Sequence, residues 1–390
     1  MNVALFSETY PPQINGVAVS TQNLFNVLRK NGHQAYVVTT NPNSNHLEYK
    51  DNVLYIPGIE LKKLYGYRLA GFYNSRAMKI IKTWKLDLVH IQTELSIGIF
   101  GKIVATRGNL PTVNTYHTMY EDYTHYAVKG PGIDRFAKKV IREWSKYVAM
   151  QCTEFISPSE KTKDAFRRYG TDRYINIVPT GIDFSKFKRE NVNESELTQF
   201  KEEHDLTGKY VLLSLGRLAS EKSVDVLLKG YAEYVKTEKK PSRFLIVGEG
   251  PDRIKLTELT TELGLGDRVL FIGAVPPTRV QFYYHLADVF VSASITETQG
   301  LTFMEAMASS LIVLARYDEN LHNTIIDNET GFFFDSERDF GEKLARVAAL
   351  TPTNKKKLIN AASKALEVYS IDSFYDHIME VYHRAIRKTW

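Results

Sequence analysis

The sequence predicts an α/β protein built from two doubly wound, Rossmann-like domains, and three observations predict it. Short apolar runs alternate with amphipathic segments through the first 180 residues, the punctuation of βαβ units and of a mostly parallel sheet covered on both faces. The same alternation restarts at Tyr210, after a charged, poorly periodic stretch from Lys186 to Lys209. At 390 residues the chain is too long for one ordinary core and suits two domains. The expected domains are residues 1–180 and 181–371, facing a cleft, with a last amphipathic helix at about 372–390 packing back on the first.

In the first domain the expected strands are Val3–Phe6, Ala35–Val38, Val53–Ile56, Leu86–Ile91, Thr112–Thr115 and Glu154–Ser157. Helices are expected near 17–30, 68–84, 96–107, 134–151 and 159–169. In the second domain the strands are Tyr210–Leu215, Phe244–Val247, Val269–Ile272, Val289–Ser292 and Leu311–Leu314, with helices between them and three more closing the chain.

Hydrophobic content of 43% with 24% charged residues describes a soluble globular chain. The single cysteine, Cys152, excludes an internal disulfide framework and suits a reducing compartment. No apolar run approaches the roughly 20 residues that span a bilayer. The chain enters a strand at Asn2 without a basic, then apolar, leader, so a cytoplasmic protein is expected. Charge is unevenly spread: residues 1–180 carry 23 Lys/Arg against 14 Asp/Glu, the remainder 27 against 31. The basic half implies an anionic partner, either nucleic acid or an acidic membrane surface.

The stretch Val289–Ala308 reads as a strand, a turn through Thr296 to Gly300 and a helix opening near Leu301, which fixes Glu297 and Glu305 relative to one pocket. Free N–H groups of such a turn suit a phosphate or a row of hydroxyls, and Glu305 suits a ribose diol. Ser7–Gly16 joins the first strand to the first helix. Its Asn15-Gly16 pair suggests a turn with φ > 0 that brings Gly16 close to a diphosphate, against the alternative of an ordinary strand-to-helix turn. Arg217 and Lys222, in Leu215–Lys222, place two cations where a leaving diphosphate would need them, or simply form a solvated helix start. Val247-Gly-Glu-Gly-Pro251 lets a nucleoside approach backbone at Gly248 and Gly250. His117, just past a strand, can bond a sugar hydroxyl or handle a proton, or be a satisfied structural residue. Neither a Walker A loop nor Gly-x-Gly-x-x-Gly follows either domain's first strand, and no Cys/His cluster suggests a metal.

Two basic stretches look interfacial. Lys62, Lys63, Tyr65, Tyr67, Arg68 and Phe72 mix cations with aromatics. The expected helix near 134–151 puts Phe136, Val140, Trp144 and Val148 on one stripe, with Arg135, Lys138, Lys139, Arg142 and Lys146 around it. Such a helix lies on an anionic bilayer, or else packs its stripe on the domain's own sheet.

Taken in order, Asn15-Gly16, His117, Gly216-Arg217, Glu221-Lys222, Gly248–Pro251 and Glu297 to Glu305 resemble family 4 glycosyltransferases, retaining enzymes of the GT-B fold, over nearly the whole chain. The resemblance implies that Arg217 and Lys222 hold a nucleotide diphosphate, that Glu305 takes the ribose, and that Gly16 faces the phosphates. It further implies that Glu297 and the amides of Thr298, Gln299, Gly300 and Leu301 hold the donor sugar, with His117 at its reacting side. Thr115–Tyr123 and Thr296–Thr302 look like the lipid-acceptor branch, bacterial diacylglycerol α-glucosyltransferases. Gln299-Gly300 stands where many relatives have Phe-Gly, and Thr118 where many have Asp; both fit that branch. The implied substrates are UDP-glucose and diacylglycerol, used at an anionic phospholipid surface on the cytoplasmic side, without a cofactor or metal. Other readings are a glycolipid or polysaccharide acceptor, an epimerase, and a non-catalytic binder of nucleotide-sugar or nucleic acid.

Overall fold

Asn2–Phe6 forms β1, and its alternation sets the layers of the first unit: Val3 and Leu5 enter one core and Ala4 and Phe6 the other, all four with no exposed surface. The computed structural model describes residues 1–13, 15–42, 44–61, 67–123, 131–294, 300–322 and 324–388. The chain divides into two units, Met1–Ile182 with Tyr369–Trp390, and Asp183–Val368.

The first unit continues with β2 (Gln34–Thr40), β3 (Glu48–Lys50), β4 (Val53–Ile56), β5 (Gly58–Leu61), β6 (Tyr67–Ala70), β7 (Leu88–Ile91), β8 (Thr112–Thr115), β9 (Glu154–Ser157) and β10 (Asn176–Ile177). Eight of these form one sheet in the order β10-β9-β8-β7-β1-β2-β4-β3, parallel except where β3 meets β4. One face is covered by the helix Gly16–Lys30, through Leu24, Phe25 and Leu28, and by the helix Ile371–Arg387, through Phe374, Ile378, Val381 and Tyr382. The other face is covered by the helices Ser75–Thr83 and Ser96–Gly108, which bring Met78, Ile81, Phe100 and Val104 onto Ala4 and Phe6. Asn15, Asn74 and Ser370 cap three of these helices with a side-chain oxygen that accepts an N–H of the first turn.

The helix expected over 68–84 is corrected: Tyr67–Ala70 pairs antiparallel with β5, and helix begins only at Ser75. The Asn74 cap marks that start, and four extended residues before it satisfy their backbone on β5 instead.

The second unit holds β11 (Tyr210–Leu215), β12 (Ser242–Val247), β13 (Val269–Gly273), β14 (Val289–Ser292), β15 (Ile312–Arg316) and β16 (Phe332–Phe334), all parallel, in the order β13-β12-β11-β14-β15-β16. Leu212, Phe244, Val289, Val291 and Leu314 meet Leu227, Leu228, Tyr231 and Phe340 in one core of this unit. The stretch read as poorly periodic contains a helix, Glu194–Glu203, capped by Asn193.

Strand order locates the ligand-binding ends. In the second unit the winding reverses between β11 and β14, and in the first between β1 and β7. The crevice beyond the carboxyl ends of such strand pairs is where open α/β sheets bind ligands.

Candidate active site

Beyond β11 the chain runs through Gly216 and Arg217 into the short turn Ser220–Lys222. Beyond β14 it reaches Ser294, and Lys222 Nζ lies 3.5 Å from Ser294 Oγ. The Arg217 guanidinium is bonded to the carboxylate of Glu221, whose side chain is only 8% exposed. Two cations are thereby held at the reversal point of this sheet, each by a partner the chain itself supplies.

Gly248 and Gly250 have a physical reason that the sequence did not reveal. A Cβ on Gly248 would stand 1.8 Å from the Gly216 carbonyl oxygen, and one on Gly250 2.2 Å from that of Leu218. Gly248 also has φ +139°, a conformation that other residues avoid. Leu218 N–H donates to the Glu249 oxygen at 3.0 Å, and Asp252 N–H to the Leu218 oxygen at 3.0 Å. The glycines thus let two loops lie flush, and that contact fixes the backbone carrying Arg217.

Gly300, with φ +75°, precedes the helix Leu301–Ala308. Glu305 lies on that helix and accepts the Tyr284 hydroxyl at 2.9 Å, while the same hydroxyl also reaches the Thr302 carbonyl at 3.1 Å. Burial pushes the Glu305 carboxyl up to about 7, with the Tyr284 bond pulling the other way. Glu297, Thr298 and Gln299 lie outside the described residues.

In the first unit, Gly16 is the exposed first residue of its helix. The expected turn with φ > 0 is corrected: Asn15 is extended, φ −159°, and its side chain accepts the Ala18 N–H at 2.9 Å. An extended residue is the usual N-cap geometry, so Asn serves here as cap and not as a left-handed turn.

His117 lies beyond β8, and its Nε2 is 2.7 Å from Gln92 Oε1. Burial pushes the ring down to about 4, so it is neutral near pH 7. Gln92 and Glu94 follow β7 directly and were not singled out from sequence. Glu94 accepts the Tyr120 hydroxyl at 2.8 Å and the Asn114 amide at 3.2 Å. Glu8, just past β1, is bonded by the Thr93 hydroxyl and the Ile97 N–H. The signal available for both acids is their place immediately after a buried strand at the reversal point.

In the helix Pro131–Met150 the expected stripe faces outward at Phe136, Val140 and Trp144 instead of packing on the domain's own sheet, while Val148 is half-buried. Phe136 is 68% exposed, Val140 51% and Trp144 39%, and Ile133 and Tyr147 extend the same exposed line at spacings of three and four. The side that packs inward bears Ser145 and Ala149. Arg135 and Lys139 are exposed beside the stripe, Lys138 pairs with Asp134 at 2.9 Å, and Arg142 with Glu121 at 2.6 Å. Of the other basic stretch, Phe72 is exposed and Arg68 donates to the Gly58 carbonyl at 2.6 Å. Lys62, Lys63 and Tyr65 lie outside the described residues, as does the Tyr67 side chain. Among the described residues no helix is long and apolar enough to cross a membrane, and no group of three acids, histidines or cysteines is placed to hold a metal.

Two family models share out most of the chain: one described as Glycosyltransferase Family 4 matches residues 14–186, and one described as Glycosyl transferases group 1 matches residues 196–365. Over 100% of both chains, the sequence is 34% identical to the α-monoglucosyldiacylglycerol synthase of Acholeplasma laidlawii. The chain belongs to glycosyltransferase family 4. A second α-monoglucosyldiacylglycerol synthase, from Streptococcus pneumoniae R6, is 33% identical over 99% of this glycosyltransferase and 86% of its own length. Among solved structures, sucrose-phosphate synthase from Thermosynechococcus elongatus superposes with a TM-score of 0.77 at 20% identity over 99% of each chain. Anabaena HepE in complex with UDP gives 0.74 at 16% identity, over 97% of this chain and 99% of that one. At such identities the likeness shows the fold, which is GT-B. Membership in this family sets aside the non-catalytic binder: the protein is a glycosyltransferase.

Proposed function

We propose that the enzyme transfers glucose from UDP-glucose to the 3-hydroxyl of 1,2-diacylglycerol, with retention of configuration, forming α-monoglucosyldiacylglycerol at the inner face of the cell membrane. One observation carries the lipid acceptor: the apolar line of the helix Pro131–Met150 faces outward beside Arg135 and Lys139. An apolar stripe flanked by cations is what binds an anionic bilayer, by burying apolar area and by attraction to lipid phosphates. Two full-length relatives that are α-monoglucosyldiacylglycerol synthases support the same acceptor.

In this reading Arg217 and Lys222 neutralise the diphosphate of the donor, and Glu221 aims the guanidinium. Glu305, with Oε2 taken by Tyr284, accepts the ribose diol through Oε1. Glu297, the amides after it and His117 orient the sugar. The bond from the anomeric carbon to the departing UDP breaks as a bond to the glycerol oxygen forms on the same face. The acceptor proton passes to the departing β-phosphate oxygen. The residues then contribute charge stabilisation and alignment, the two largest levers when no side chain acts as nucleophile.

The test is transfer of label from UDP-glucose, with UDP-galactose in parallel, to dioleoylglycerol in mixed micelles with and without anionic phospholipid. Labelled glycolipid formed from UDP-glucose, and faster with anionic lipid, is expected. Release of UDP when other acceptors are offered, without lipid-soluble label, would remove diacylglycerol as the substrate.

A further inference from the structure

Two side chains from the loop after β7 grip one short segment after β8. Gln92 Oε1 meets His117 Nε2 at 2.7 Å, and Glu94 Oε2 accepts the Tyr120 hydroxyl at 2.8 Å. A third contact ties the clamp to the sheet, because Asn114 on β8 donates to Glu94 Oε1 at 3.2 Å. Glu94 is 3% exposed and Gln92 2%, so neither is a solvated surface group. Tyr116 fixes the near end of the same segment through Ser145 at 2.8 Å and a ring contact with Tyr120.

The grip at Glu94 is chemically unusual. Its two side-chain donors, Asn114 and Tyr120, are both neutral, and no cation is paired with it among the described residues. The groups facing it are Glu8 from the loop after β1, and Tyr116 and Tyr120 from the segment it holds. A carboxylate so placed has its charge neither hydrated nor matched, and a second carboxyl stands close by. The neutral acid suits this environment, and burial pushes Glu94 up to about 8, with Glu8 adding to the shift. When Glu94 ionises, the cheapest relief is to admit water on the side of Tyr120, which is only half-buried.

We infer that Glu94 is a positioning residue which, with Gln92, holds the segment His117–Tyr120 in its working register, and that ionisation of Glu94 loosens this hold. The inference rests on the glycosyltransferase reading only in expecting that His117 faces the sugar. The clamp itself is read without turnover.

The experiment is a pH titration of the full-length protein carrying ¹³C-labelled histidine, from pH 6 to 9.5, with His117→Gln identifying the His117 signal. A step at His117 with a midpoint near pH 8 is expected in the parent protein, absent in Glu94→Gln and in Tyr120→Phe. In parallel, transfer rates should fall on the alkaline side in the parent and stay flat in Glu94→Gln. Glu94→Ala should lower kcat about tenfold to a hundredfold with donor KM unchanged, the scale of a misaligned reacting group. An unchanged alkaline step in Glu94→Gln, or parent kcat in Glu94→Ala, overturns the inference. Should Glu94→Gln fail to fold, Tyr120→Phe cuts the same link, and a step that persists there overturns it equally. If lipid transfer is absent from all proteins but the His117 step follows Glu94, the acceptor reading falls and the clamp stands.

Discussion

Lys222 Nζ lies 3.5 Å from Ser294 Oγ although 72 positions separate them, so the end of β14 holds the ammonium that follows β11. This contact spans the reversal point of the second sheet, where a diphosphate would sit. Replacement of Lys222 by Ala should lower turnover at least about 100-fold with donor saturating, the scale of losing a group that meets transition-state charge. Glu297→Ala should do the same through the donor sugar. Steady-state transfer rates at saturating UDP-glucose decide both, and a near-normal rate in either variant removes that residue from the role given to it.

How much of this was legible beforehand depended on whether a signal was local. β11 and β14 were readable because apolar runs ending in small residues need no partner to be recognised. The hairpin of β5 and β6 was not, since Tyr67–Ala70 runs into a helical pattern and only its pairing with Gly58–Leu61 makes it extended. The helix Pro131–Met150 was readable, but its orientation was not: the inward side is marked by small residues, Ser145 and Ala149, which hydrophobic periodicity ignores. Glu94 was invisible because its properties come from Asn114, Tyr120 and Glu8, which the topology alone brings together. Gly248 and Gly250 were singled out for a nucleoside's approach to backbone, while the neighbour that demands glycine there, the loop of Gly216–Leu218, became evident only from the geometry.

That loop contact predicts a stability effect. Gly250→Ala places a methyl 2.2 Å from the Leu218 oxygen, so one backbone must shift. The expected loss is about 2 kcal/mol, or roughly 4–8 °C in Tm for a domain of this size, with weaker UDP binding because Arg217 moves too. Gly266→Ala is the control, as nothing lies within 4 Å of its added methyl. Calorimetry and UDP titration on both variants read the difference; equal melting of the two would show that the loops accommodate the methyl.

The exposed stripe predicts a surface-specific loss. Phe136→Glu and Val140→Glu should each reduce binding to vesicles containing phosphatidylglycerol by at least about tenfold, since a buried apolar side chain contributes roughly 1.5–3 kcal/mol. Ile254, 74% exposed on the second unit, supplies the comparison, and Ile254→Glu should leave vesicle binding unchanged. Arg135→Glu and Lys139→Glu should flatten the salt dependence of binding. Sedimentation with vesicles at several salt concentrations measures all of these. Equal effects from Phe136→Glu and Ile254→Glu would point to general loss of solubility in place of a membrane face.

His90 is fully buried, with Nδ1 2.8 Å from the Tyr382 hydroxyl and Nε2 2.7 Å from Thr115 Oγ1, so its ring joins the helix Ile371–Arg387 to β8. Burial, with a smaller push from His117, moves it down to about 3. The unfolded chain therefore takes up a proton near pH 6.5 that the folded protein refuses until about pH 3, and stability falls as pH falls across that window. In His90→Gln, which cannot be protonated but can bond both hydroxyls, this part of the acid sensitivity should vanish. The Tm of the parent should exceed that of the variant most at pH 7, and the gap should narrow steadily toward pH 4. His117 contributes a loss of the same sign in both proteins, so the comparison isolates His90. A gap that stays constant from pH 7 to pH 4 would mean that the buried ring is protonated in the folded state.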